Sequence, residues 1–170
     1  MHRKFRTTMG VALCVLIALT TVTSRKVVSG QGDGGRLEGT WDVLLTPRNC
    51  NTGDPLPVPP IRELINFNSG GTMLDSTSGA FPAAKTPGHG VWSHVAGNTY
   101  EYKFKFLNIA PDPNDPTKAV LVGWAIVSQE LQLNSTATEY TSSGTVQFYN
   151  ASGVPTGPIR CSTTAGTRFE

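Results

Sequence analysis

The sequence predicts an all-β fold, an eight-stranded antiparallel up-and-down β-barrel over residues 39–170. Three observations predict it. From Gly39 onward, apolar and polar residues alternate with period two, the signature of half-buried strands, and no segment carries a helical period. The twelve prolines gather in every second connection between those strands. The first and last strands also fit one antiparallel register, as a closed barrel requires.

The first strand, 39–46, sets Trp41, Val43 and Leu45 against Thr40, Asp42 and Leu44. Strands 61–67 and 71–77 meet at the tight turn Asn68-Ser69-Gly70-Gly71, whose paired glycines suit a hairpin. Strands 89–95 and 99–107 meet at Ala96-Gly97-Asn98. The second of these is the clearest in the chain, with Tyr100, Tyr102, Phe104 and Phe106 alternating against Glu101, Lys103 and Lys105. Segment 118–133 is long enough to bend or split near Ser128. Asn134-Ser135-Thr136 turns it into 138–149, where Val146 and Phe148 share one face, and 159–168 completes the ring.

The connections after strands one, three, five and seven hold all the prolines: 47, 55, 57, 59, 60, 82, 87, 111, 113, 116, 155 and 158. Proline cannot donate a ladder hydrogen bond, so its absence from central strands is expected. Its alternation between connections is not. Successive connections of a meander lie at opposite ends, which predicts one end with four long, Pro-stiffened loops and one end with tight hairpins. The decorated end is then the functional one.

Residues 1–30 read as a secretory signal: His2, Arg3, Lys4 and Arg6 precede the twelve-residue apolar run Met9 to Thr20. That run is shorter than the ~20 residues that span a bilayer. Small residues permit cleavage after Ser24 or after Gly30. The second cut removes five bases and no acid, leaving nine bases against twelve acids, a net charge of −3 in place of +2. The first leaves −1. Neither leaves a basic patch for nucleic acid. The mature chain is expected to be exported, extracellular or periplasmic, with no transmembrane segment. Residues 31–38 form a Gly-rich, flexible lead-in, without the strand and helix that a dinucleotide-binding glycine loop needs.

Cys14 lies in the apolar run, so export leaves Cys50 and Cys161, an even pair that reads as one disulfide. Facing residue numbers in an antiparallel pair sum to a constant: 211 for Cys50 and Cys161, 209 for Trp41 and Arg168. The two sums agree within two residues, so one register would serve both pairs.

Gly39-Thr40-Trp41 opening the first strand, with Arg168 closing the last, resembles the calycin superfamily of lipocalins, avidin-like proteins and intracellular lipid-binding proteins. The resemblance implies a calycin-like barrel with a structural role for Trp41 and Arg168, the guanidinium stacked on the indole. It also makes the segment 47–60 similar to the lipocalin lid loop. A second likeness, to barrels of the dirigent or allene oxide cyclase type, is carried by Gly144-Thr145-Val146-Gln147-Phe148 and Gly153.

Catalytic motifs are sparse. No Gly-x-Ser-x-Gly elbow, His-Glu-x-x-His helix or P-loop is present. His89 and His94, five apart, fall on opposite faces of one strand, as ordinary surface histidines do. Asp112-Pro113-Asn114-Asp115-Pro116 offers oxygen ligands but lacks the glycine and the terminal Glu of an EF-hand, so turn chemistry is the simpler reading. No metal or cofactor is expected. Glu63, Glu101, Glu130 and Glu139 lie in strands, and one of them facing the lumen would have a raised pKa suited to proton transfer. Trp92, Tyr102, Phe104, Trp124 and Phe148 are the candidate ligand-lining residues, with core packing as their alternative role. Asn134-Ser135-Thr136 and Asn150-Ala151-Ser152 are glycosylation sequons that matter only in a eukaryotic secretory pathway.

The expected function is binding of a small apolar or amphipathic ligand at the Pro-rich end of a secreted barrel. A cyclase or isomerase using a lumen carboxylate or His94, and a ligand-free envelope or interaction protein, are the alternatives.

Overall fold

The computed structural model describes residues 34–77 and 85–169; residues 1–30, expected to be a secretory signal, with Cys14 among them, residues 31–33 and Pro82 lie outside them. Eight antiparallel strands close into one ring in chain order. They are β1 (Gly39–Arg48), β2 (Ile61–Asn68), β3 (Thr72–Thr77), β4 (Gly88–Ala96), β5 (Thr99–Asp112), β6 (Asp115–Leu133), β7 (Glu139–Asn150) and β8 (Arg160–Arg168). Closure runs from Trp41 opposite Arg168 to Arg48 opposite Cys161. Cys50 lies two residues beyond, where the chain leaves the ladder, and its disulfide with Cys161 spans 5.2 Å between Cα atoms. The ring leaves no open sheet edge along its circumference.

Period-two alternation points Tyr100, Tyr102, Phe104 and Phe106 inward, while Glu101, Lys103 and Lys105 stay exposed. The lower half of the barrel, at the end of the tight hairpins, is filled by Trp41, Phe67, Trp92, Tyr100, Leu131 and Tyr140. Edge-to-face contacts such as Trp41 on Tyr140, 5.0 Å between centroids, lock these rings together.

Arg168 seals that base. Its guanidinium lies 4.4 Å over the Trp41 ring and donates to the carbonyls of Ala137, Glu38 and Arg36 at 2.8, 2.7 and 2.6 Å. Gly39 has φ +124°, and a Cβ there would sit 2.7 Å from Arg168 Nη1, so both backbone and packing require glycine.

Three features differ from the sequence-based expectation. Residues 34–38 are tied down rather than loose: Gly34–Arg36 make a 3-10 turn, and Leu37 is fully buried and accepts the Trp41 indole N–H at 3.0 Å. Strand β6 runs unbroken through Ser128. The β5–β6 connection is only the turn Pro113-Asn114, not a long loop, with Pro111 and Pro116 inside the paired strands. Those prolines are tolerated because, among the described residues, 109–121 pair only with each other, as a ribbon beyond the ring whose outer N–H positions need no partner. Pro47 likewise lies past the end of the β1–β2 ladder at Leu45. All four odd connections still leave the same end, as the ring order demands.

Candidate functional site

Above its filled base the barrel opens into a cavity of about 410 Å³ at the end carrying the odd connections. Its walls are apolar, with Phe104 and Phe106 from β5, Val127 from β6 and Val146 and Phe148 from β7. Leu56 and Val58, in the segment between β1 and β2, reach over the mouth. Both keep two-fifths or more of their surface in solvent, at 40% and 49%. The space exists because residues opposite the phenylalanines are small: Val127 faces Phe104 and Ala125 faces Phe106 across the β5–β6 ladder.

The cavity is not apolar throughout. Glu63 on β2 faces inward, 7% exposed, and lines it together with Thr77, Lys85 and Ser162. Asp75 on β3 is fully buried on the same inner face, diagonal to Glu63 across the ladder. Lys85 Nζ donates to Asp75 Oδ2 at 2.8 Å and lies 4.0 Å from the Phe106 ring centroid. The lysine backbone is pinned by a bridge to Asn108. Gly88 makes room for this arrangement, since a Cβ there would come 2.6 Å from the Phe104 ring and 3.1 Å from Asp75 Oδ2.

Two inward carboxyl groups thus lie near one ammonium, which Asp75 engages directly. Burial pushes the Glu63 pKa up to about 8, the negative charge of Asp75 adds to the rise, and Lys85 and a hydrogen bond from Thr77 oppose it. Burial also raises Asp75 against the pull of Lys85. Among the described residues Asp75 Oδ1 has no hydrogen-bond partner. Below the cavity, a band of hydrogen-bonded side chains separates mouth from base. Gln129 donates to Ser162 at 2.8 Å, Ser142 to Gln129 at 3.1 Å, and Ser142 meets Thr164 at 2.6 Å and the Tyr102 hydroxyl at 3.3 Å.

The five aromatic candidates separate. Phe104 and Phe148 line the cavity. Tyr102 lies beneath it in the polar band, its phenol held neutral by burial. Trp92 belongs to the base, with its indole N–H on the Asn68 carbonyl at 3.0 Å and Phe67 against its ring. Trp124 does not line the lumen: inward Ala125 and Gly123 flank it, and Lys105 caps its outer face at 4.1 Å. Of the four strand glutamates only Glu63 faces inward; Glu101, Glu130 and Glu139 are exposed. His94 lies at the base end, its Nε2 2.8 Å from the Gly97 carbonyl, and His89 is exposed. Asp112 and Asp115 bond the backbone N–H groups of Asn114 and Thr117, as turn formers do.

Asp75 and Lys85, decisive in the site, have no motif in the sequence. Parity was the signal for Asp75: once Ile65 and Phe67 are inward, the hairpin at Gly70-Gly71 places Met73 and Asp75 inward too, whereas Lys85 lies outside the strands and carries no such signal. Among the described residues, no group of three or more His, Cys, Asp or Glu converges as a metal site. A broader groove of about 700 Å³ crosses the outer face of β4 to β7, but its ionisable residues Glu101, Lys103 and Glu130 are all solvated. No helix among the described residues is long and apolar enough to cross a membrane. No family model, curated protein or solved structure matches the chain.

Proposed function

We propose that the protein is a secreted, calycin-like binding protein that holds a small apolar or amphipathic molecule in the mouth of its barrel. The carrying observation is the cavity itself, whose volume of about 410 Å³ falls in the ordinary range for small-molecule pockets. Apolar walls supply affinity, and Glu63 and Lys85 at the floor, the lysine held from behind by Asp75, supply the few polar groups that orient a ligand. Exposed Leu56 and Val58 at the rim are side chains that a bound molecule would cover. The Cys50–Cys161 disulfide is compatible with export.

The test is titration with the neutral fluorescent probe N-phenyl-1-naphthylamine. Saturable binding at a single site is expected, and Val127→Trp, which fills the cavity, should weaken it at least about tenfold. Val146→Phe serves as a milder second variant. Unchanged affinity in a folded variant, judged by its circular dichroism, would place the ligand elsewhere.

Glu63 favours a second reading, proton-transfer catalysis of the cyclase or isomerase kind. A carboxyl that titrates near 8 inside a cavity is poised to give and take protons at neutral pH. Turnover that disappears in Glu63→Gln while probe binding persists would support it.

A further inference from the structure

We propose that the ligand enters with a positively charged amine at its inner end and an apolar chain among Phe104, Phe106 and Phe148, so that the cavity prefers alkyl- or arylamines to fatty acids. This inference rests on the binding reading above and names the class of molecule bound. It stands first on how the charged groups are paired. Glu63 and Lys85 line the floor, and Asp75, fully buried behind them, already engages that ammonium at 2.8 Å. That leaves the Glu63 carboxyl as the acid open to a ligand. A ligand carboxylate would meet that carboxyl group and a lysine already committed to Asp75. A ligand ammonium would instead supply donors to Glu63 and, once the Glu63 proton is displaced, its counter-charge.

The second observation is the aromatic wall. Lys85 already shows that an ammonium sits well against Phe106, at 4.0 Å from its centroid, and Phe104 and Phe148 extend that surface outward. The other charged or titratable groups turned toward this space do not reverse the preference. Tyr102 of β5 and Tyr140 of β7 are phenols that burial keeps neutral. Arg160 of β8 also lines the cavity, over Phe148, but it is exposed and screened by solvent.

Because burial holds Glu63 protonated at neutral pH, an entering amine must displace that proton, and binding is proton-linked. Calorimetric titration of the protein with octylamine, octanol and octanoate tests this. At pH 7 octylamine should bind at least about tenfold more tightly than octanoate, and should tighten about tenfold further by pH 9 as Glu63 ionises. Octanol should bind at both pH values without that response. Glu63→Gln should abolish the pH response and most of the amine preference while still binding octanol. Octanoate binding as tightly as octylamine, or a Glu63→Gln variant that keeps both preference and pH response, would overturn the inference and leave the binding reading standing. Failure of all three compounds to bind would remove the binding reading itself, and this inference with it.

Discussion

Ionised Glu63 is costly to bury, and that cost sets how pH acts on the fold. In the unfolded chain its carboxyl titrates near 4.5, in the barrel near 8. The folded state therefore holds a proton that the unfolded state has released between those values. Stability is fully present below pH 4.5 and is lost as pH rises through 8, the reverse of a carboxylate in a surface ion pair. We expect the unfolding free energy to fall by about 4 kcal/mol between pH 5 and pH 9. Glu63→Gln should flatten most of that slope in denaturant titrations at several pH values, with Asp75, also raised, keeping the remainder. A slope unchanged in the variant would show that another group governs it. At this scale the sequence was least readable. In Met73-Leu74-Asp75 the usual pattern is inverted: Leu74 points outward at 40% exposure and Asp75 is fully buried. Trp124 sits in the run Ala119 to Val127, apolar at both parities, so only its register against β5 tells in from out.

Strands were far more legible than their side chains. Period two, turn glycines and proline positions located all eight, because each reflects backbone geometry rather than long-range packing. Cross-strand register was legible for the same reason: the Trp41–Arg168 sum fixes the β1–β8 ladder, and Cys50 falls within one turn of it. The prolines misled where a ribbon replaces a loop, since Pro111 and Pro116 occupy strand positions that ask for no ladder donor, and at Pro47, which lies inside β1 opposite Ser162. The disulfide joins the start of the 49–60 segment to the first residues of β8, and so fixes two sides of the cavity mouth. It closes a 111-residue separation, for which chain-entropy estimates give about 4.7 kcal/mol. Cys50→Ser with Cys161→Ser should lower the unfolding free energy by about 2–4 kcal/mol in denaturant titrations, and should loosen the mouth before the base. Hydrogen exchange reads the difference: faster exchange near residues 49–60 is expected, with protection of Trp41 and Tyr140 retained. Equal loss at both ends would contradict it.

As a whole the molecule is a barrel divided along its axis. The base is filled by stacked aromatics and sealed by Arg168 over Trp41. A hydrogen-bonded band crosses the middle, and the mouth stays open over Glu63 and Lys85, with Asp75 buried behind them. An eight-stranded ring is only just wide enough either to be packed solid or to hold one small molecule, and this one does both in series. The closed ring, and the end that all four odd connections share, were visible in the alternation of connections. The ligand-sized space was not, because it depends on which of Val127, Val146 and Ala125 face the phenylalanines. A ligand at 100 times its Kd would add about 2.7 kcal/mol to stability, so occupancy and fold are coupled. Native mass spectrometry of the protein isolated from its own source is the most direct test of that occupancy. One small organic molecule per chain is expected on the native protein, lost in Val127→Trp; a native chain that carries none, or a filled variant that carries the same molecule, would contradict the account.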